Sequence, residues 1–163
     1  MKDRVREAVF NLLGPGVAGS HAIDLFAGTG ALGLEALSRG AAQVTFIERH
    51  LPTLKLIEQN AKSLGVADTA EFVFGDAFHW SRRYQPADNT SLTVFCSPPF
   101  DFYVDRRQEM VDLVARWIEV APATSQIVLE ADERFDFGLL PEADGWDIRS
   151  YPPAVVGIFE KSA

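Results

Sequence analysis

The residues best suited to chemistry lie at a few fixed points along the chain. Gly28, Gly30 and Gly33 have the spacing G-x-G-x-x-G and directly follow the apolar run His21 to Phe26. Between a strand and a helix, such glycines let the main chain approach a nucleotide-like ligand closely. Glu48 follows the next apolar run, 18 residues beyond Gly30, where a carboxylate can accept both ribose hydroxyl hydrogens. Asp76, in Phe74-Gly75-Asp76-Ala77, follows a third run. It can accept from an adenine amine, or serve as a helix cap. The glycines alone fit either a dinucleotide or S-adenosylmethionine. Asp24 separates the two, because a carboxylate repels a pyrophosphate and favours a cationic amino group and a sulfonium.

A fourth run ends in Ser97-Pro98-Pro99-Phe100. Two prolines fix a rigid, extended exit from a strand. Their carbonyls lack ladder partners, so one can accept from a ligand, and Phe100 offers a face on which a base stacks. Together these suit an amino group on a planar ring. His21, His50 and His79 lack the spacing of metal ligands, and the single cysteine, Cys96, reads as a buried strand-end residue.

The elements that must position these residues alternate strand and helix. Val5, Ala8, Val9, Leu12 and Leu13 mark an amphipathic helix over Asp3 to Leu13, stopped by Gly14-Pro15-Gly16. Strands are expected at 21–26, 44–47, 71–74, 92–96 and 126–131, and helices near 33–38, 52–64, 78–84 and 105–120. A terminal hairpin pairs 146–151 with 155–160 around Pro152-Pro153. This pattern predicts one α/β domain over 1–163: a Rossmann-like, mostly parallel seven-stranded sheet, helices on both faces, and a C-terminal antiparallel hairpin. Ligands bind such sheets at the carboxyl ends of the strands.

Composition narrows the class. The chain has 163 residues, 47% hydrophobic and 23% charged, with a net charge of -8. That excludes a disordered or fibrous protein. The apolar runs are too short for a membrane span, and a soluble cytoplasmic monomer without a metal is expected. The negative charge argues against tight autonomous binding to nucleic acid, although Lys2, Arg4 and Arg6 could form a local basic patch.

Asp24 to Gly33, Glu48, Asp76 and Ser97 to Phe100 resemble the motifs of class I amino-methyltransferases. More narrowly, Asp3 to Asn11 and Asp24 to Ala41 resemble the bacterial small-subunit ribosomal RNA guanine-N2 methyltransferases. The resemblance implies S-adenosylmethionine as cofactor, a guanine exocyclic amine of 16S rRNA as target, and a small-subunit particle as partner. It implies that Asp24, Gly28 and Gly30 hold the methionine end, Glu48 the ribose, and Asp76 with Ala77 the adenine. Phe26 and Arg49 belong to the same cofactor-binding set, and Ser97, Pro98 and Phe100 hold the target base. Two features depart from the family. Ser97 stands where its members have Asp, which replaces a charged acceptor by a neutral one. Members also carry an N-terminal strand extension ahead of the Asp3 segment. Two other readings remain: an adenine-N6 or protein-glutamine methyltransferase using the same tetrapeptide, and a non-catalytic protein that keeps the cofactor pocket.

Overall fold

The computed structural model describes residues 1–163. Seven strands, β1 (His21–Asp24), β2 (Gln43–Glu48), β3 (Ala70–Phe74), β4 (Leu92–Cys96), β5 (Gln126–Asp132), β6 (Trp146–Tyr151) and β7 (Ala154–Glu160), form one sheet in the order β3-β2-β1-β4-β5-β7-β6. The first five run parallel; β7 is antiparallel to β5, and β6 to β7. Six helices accompany them: α1 (Asp3–Leu13), α2 (Ala31–Ser38), α3 (Leu51–Ser63), α4 (Ala77–Arg83), α5 (Phe102–Asp105) and α6 (Arg107–Val120). No helix is long and apolar enough to cross a membrane.

The strands are apolar at successive positions because both faces are covered. Consecutive side chains point to opposite faces. Ile23, Ile47, Val94, Cys96, Ile127 and Leu129 pack on one side, with Phe78 of α4 and Met110 and Trp117 of α6. Ala22, Phe46, Phe95 and Val128 pack on the other, with Val9 and Phe10 of α1, Ala36 of α2 and Ile57 of α3. The chain moves outward from β1 to β3, then returns to β4 beside β1. The two neighbouring connections therefore leave the sheet on opposite faces, and a cleft opens above the carboxyl ends of β1 and β4.

The glycine turn is built at the start of that cleft. Gly28 and Gly30 have φ of 55° and 81°, a left-handed backbone that glycine adopts without strain. Gly33 serves packing instead: a Cβ there would lie 2.4 Å from Cε1 of Phe46 and 2.9 Å from Cγ2 of Val44. Its absence lets α2 lie close against β2.

The sequence pattern predicts one helix from 105 to 120. That helix forms as α6, starting two residues later; a further short helix, α5, precedes it and is separated from it at Arg106, whose φ and ψ are -131° and 39°. Two interactions hold the break. Tyr103 is buried, and its hydroxyl donates to the Glu130 carbonyl at 2.7 Å. The Arg106 guanidinium lies over Phe78, 4.1 Å from the ring centroid, and pairs with Glu109 at 2.7 Å. Periodicity within one element does not register contacts made to other elements. The terminal hairpin forms as expected, with β6 as the sheet's edge.

Gly33→Ala should destabilise the fold by about 1–3 kcal/mol, the usual penalty for forcing a methyl into a filled core. Urea unfolding should show a lower midpoint with an unchanged slope; an unchanged midpoint would show that α2 can move away from Phe46.

Candidate functional site

A cavity of about 930 Å³ lies above the carboxyl ends of the parallel strands. It brings together residues that are far apart in the sequence. Phe26 and Gly28 come from the loop after β1, Glu48 and Arg49 from the end of β2, and Asp76 and Ala77 from the turn after β3. Ser97, Pro98, Pro99 and Phe100 follow β4 and line the same space. Nine of the eleven residues assigned to the site from the sequence thus share one cavity; Asp24 and Gly30 lie outside its lining.

Glu48 is fixed before any ligand arrives. Its Oε1 accepts from the Gly28 N–H at 3.0 Å and its Oε2 from the His50 N–H at 2.9 Å. Each oxygen keeps a further lone pair for a ligand hydroxyl. Asp76 caps α4, accepting from the His79 N–H at 2.8 Å, and it also lines the cavity.

Asp24 lies behind the loop, 1% exposed, with Oδ2 accepting from the Gly33 N–H at 3.2 Å. Burial pushes its carboxyl up to about 7, partly opposed by that N–H bond. The glycine loop is therefore tied to two carboxylates, Glu48 on the cavity side and Asp24 on the core side. Both occupy amides that would otherwise attract an anion. A pyrophosphate would meet acidic groups here, whereas a cationic ligand is favoured.

The tetrapeptide after β4 is arranged for recognition. The Pro99 and Phe100 carbonyls accept from the Phe102 and Tyr103 N–H groups of α5, at 3.0 and 3.1 Å. The Pro98 carbonyl has no main-chain partner. Ser97 donates its hydroxyl hydrogen to Oε1 of Glu130, which leaves the Ser97 oxygen free to accept.

Several lining residues were not assigned to the site from the sequence. Arg106 and Phe102 form part of the wall, and the Arg49 guanidinium lies 6.0 Å from the Phe102 ring centroid. Lys2 and Arg4 line the cavity from the N-terminal segment, while Arg6 of the same patch pairs with Asp3 at 3.1 Å. Tyr151 to Ala154 enter from the β6–β7 turn. Glu130 is the most consequential omission. An acid closing an apolar strand was the signal that marked Glu48, and Glu130 carries the same signal near the end of β5.

The strand order and the cleft above β1 and β4 define a class I methyltransferase fold. Residues 1–148 match the family model described as "Conserved hypothetical protein 95", and the chain belongs to that family. Ribosomal RNA small subunit methyltransferase D of Escherichia coli K12 is 41% identical over 98 residues, covering 60% of this chain and 48% of that protein. The chain thus matches about half the length of this curated relative. Among solved structures, yhhF of Escherichia coli, whose description assigns it provisionally to the methyltransferases, superposes with a TM-score of 0.83. It shares 28% identity, with 100% of this chain and 88% of that one covered. An RNA methyltransferase from Salinibacter ruber, in complex with S-adenosyl-L-homocysteine, has the same fold at a TM-score of 0.70. It is 21% identical, with 99% of this chain and 93% of that one covered.

The raised carboxyl of Asp24 has a pH signature. Between pH 4 and 7 the folded protein keeps a proton that the unfolded chain releases. The stability tied to Asp24 is thus full below about pH 4 and is lost as pH rises through about 7. Asp24→Asn, which keeps an acceptor for Gly33, should be more stable than the parent at pH 8. The gain should exceed that at pH 5 by about 2–3 kcal/mol, two pH units at about 1.4 kcal/mol each. Urea unfolding of both proteins at the two pH values measures this, and equal gains would place the Asp24 carboxyl near its ordinary range.

Proposed function

We propose that this protein is an S-adenosylmethionine-dependent methyltransferase that modifies the N2 amine of a guanine in 16S rRNA, presented on a small-subunit particle. The observation that carries this reading is one cavity with two ends: Glu48 and Asp76 at one, and Ser97 to Phe100 at the other. Its volume of about 930 Å³ is at the upper end of the range for ligand pockets and suits a nucleoside cofactor beside a base. The donor set fits as well. The loop amides of Gly28 and Gly33 are held by carboxylates, which disfavours a pyrophosphate and suits a positively charged ligand. The ribosomal RNA methyltransferase name of the Escherichia coli relative agrees with this reading, as does the S-adenosyl-L-homocysteine in the Salinibacter ruber structure.

In this reading Glu48 accepts from the ribose hydroxyls, and Asp76 with Ala77 receives the adenine. Phe26 and Gly28 border the methionine end, and Arg49 closes the cofactor side. Asp24 and Gly30 act from behind, by shaping the loop. When bound, the cofactor supplies an electrophilic methyl group on a sulfonium. The amine it meets is a poor nucleophile, because its lone pair is delocalised into the purine ring. Acceptors for the amine hydrogens localise that pair; the Pro98 carbonyl, which has no main-chain partner, and the Ser97 oxygen would serve as these acceptors. Phe100 stacks on the base, and proximity with preorganised dipoles supplies most of the remaining acceleration. Lys2 and Arg4, exposed at the mouth, meet RNA phosphates. In a chain of net charge -8 so small a patch gives weak, salt-sensitive binding to free RNA, hence the preference for an assembled particle.

Methyl transfer from labelled S-adenosylmethionine into unmethylated small subunits, followed by nucleoside analysis, tests the reading. The expected product is N2-methylguanosine. Methyladenosine would favour the adenine-N6 alternative, and no product despite cofactor binding would favour a non-catalytic protein. Glu48→Ala removes the ribose acceptor, where hydrogen bonds to a charged group contribute about 1.5–3 kcal/mol each. Calorimetry should show S-adenosylmethionine affinity reduced at least tenfold; an unchanged affinity would remove Glu48 from the site.

A further inference from the structure

Glu130 has no part in the function proposed above, yet it is placed as carefully as Glu48. It sits near the end of β5, 4% exposed, on the wall of the cavity beside Ser97. Tyr103 holds its main-chain carbonyl at 2.7 Å, and Ser97 donates to Oε1 of its carboxylate. The Met1 nitrogen lies 3.7 Å from the same oxygen. Oε2 has no hydrogen bond within the protein. Oε2 is not one of the protein's buried, unpartnered polar atoms; it is open to the cavity and can accept from a ligand there. One oxygen is satisfied, and the other borders the end of the cavity where the Pro98 carbonyl is free.

The edges of the two purines differ in what they can give such an oxygen. Guanine presents adjacent donors, N1–H and the N2 amine. Adenine presents its N6 amine beside N1, which carries a lone pair and would repel a carboxylate oxygen. A site with a buried acceptor strongly rejects a ligand that leaves the acceptor unpaired.

We propose that Glu130 selects the target base: Ser97 orients its carboxylate through Oε1, and Oε2 accepts from the N1–H of a guanine whose N2 amine lies against the Ser97 oxygen and the Pro98 carbonyl. The proposal rests on the guanine-N2 reading and adds the residue that enforces it. It also accounts for Ser97. A hydroxyl that donates to a carboxylate becomes a better acceptor. Glu130 is a specificity-determining residue, and Ser97 both touches the amine and positions Glu130.

The test is binding of three nucleotides to the protein saturated with S-adenosyl-L-homocysteine, followed by NMR: the 5′-monophosphates of guanosine, inosine and adenosine. Inosine keeps N1–H and lacks the N2 amine, so it isolates the proposed contact. The parent should bind the guanosine and inosine nucleotides more tightly than the adenosine nucleotide, by about ten- to a hundredfold for guanosine. In Glu130→Gln, whose carbonyl still accepts from Ser97 while its NH2 faces N1, the preference should vanish or reverse toward adenosine while S-adenosyl-L-homocysteine affinity is retained. Glu130→Asp, which keeps the charge on a shorter arm, should retain a reduced preference. Equal binding of the three nucleotides by the parent overturns the proposal, and this holds even if the Gln variant does not fold. A folded Glu130→Gln protein that keeps the preference overturns it too. A parent with the predicted preference that transfers no methyl group to small subunits would refute the proposed function and leave the role of Glu130 standing. Transfer to guanine by a parent without the preference would do the reverse.

Discussion

The site depends on a glycine loop held from both sides by carboxylates. Glu48 accepts the Gly28 amide from the cavity, and Asp24 accepts the Gly33 amide from the core. Loops of this kind usually bind anions through those amides. Here the amides are already engaged by the protein's own acids, and Glu48 presents its carboxylate on the cavity side. Asp24 holds its amide at a cost. Its burial is unfavourable for a charge, and the fold tolerates it because the loop conformation requires an acceptor at that point. Gly28 and Gly30 supply the left-handed backbone that brings the loop under Glu48, and the missing Cβ of Gly33 lets α2 pack close enough to align the amide.

Around this loop the cavity is divided by chemistry. The β2 and β3 side carries Glu48 and Asp76, acceptors suited to hydroxyls and amines. The β4 and β5 side carries Ser97, the Pro98 carbonyl and Glu130, also acceptors, facing Phe100 and Phe102. The positively charged side chains of the lining are Lys2, Arg4, Arg49 and Arg106. An acceptor-rich interior beneath a basic mouth suits a donor-rich base carried on a phosphate backbone. In the proposed function, such local charges would let a strongly negative chain meet an RNA backbone.

Much of this was legible in the sequence, because the informative residues sit where a parallel sheet must place them. Each apolar run predicted a strand, and the residues immediately after those strands, Gly28, Glu48, Asp76 and Ser97, converge above the sheet. What was not legible depends on contacts between distant elements. The split between α5 and α6 comes from Tyr103 reaching Glu130 and Arg106 lying over Phe78. The position of Asp24 behind the loop follows from side-chain direction at the end of β1, which alternates residue by residue. Glu130 matters through Ser97, 33 positions away.

The position of β7 has a consequence for how the protein is made. It is the last strand in the chain, yet it lies between β5 and β6, and the turn that precedes it, Tyr151 to Ala154, forms part of the cavity rim. During synthesis β5 therefore emerges with an open, apolar edge, and β6 has no neighbour until β7 has been made. Such an edge invites pairing with other chains. A nascent chain arrested within β6 would carry the whole glycine loop and tetrapeptide without a closed sheet to hold them in register. Active-site assembly thus waits for β7, and a chaperone that shields the edge of β5 would act on the step most exposed to aggregation.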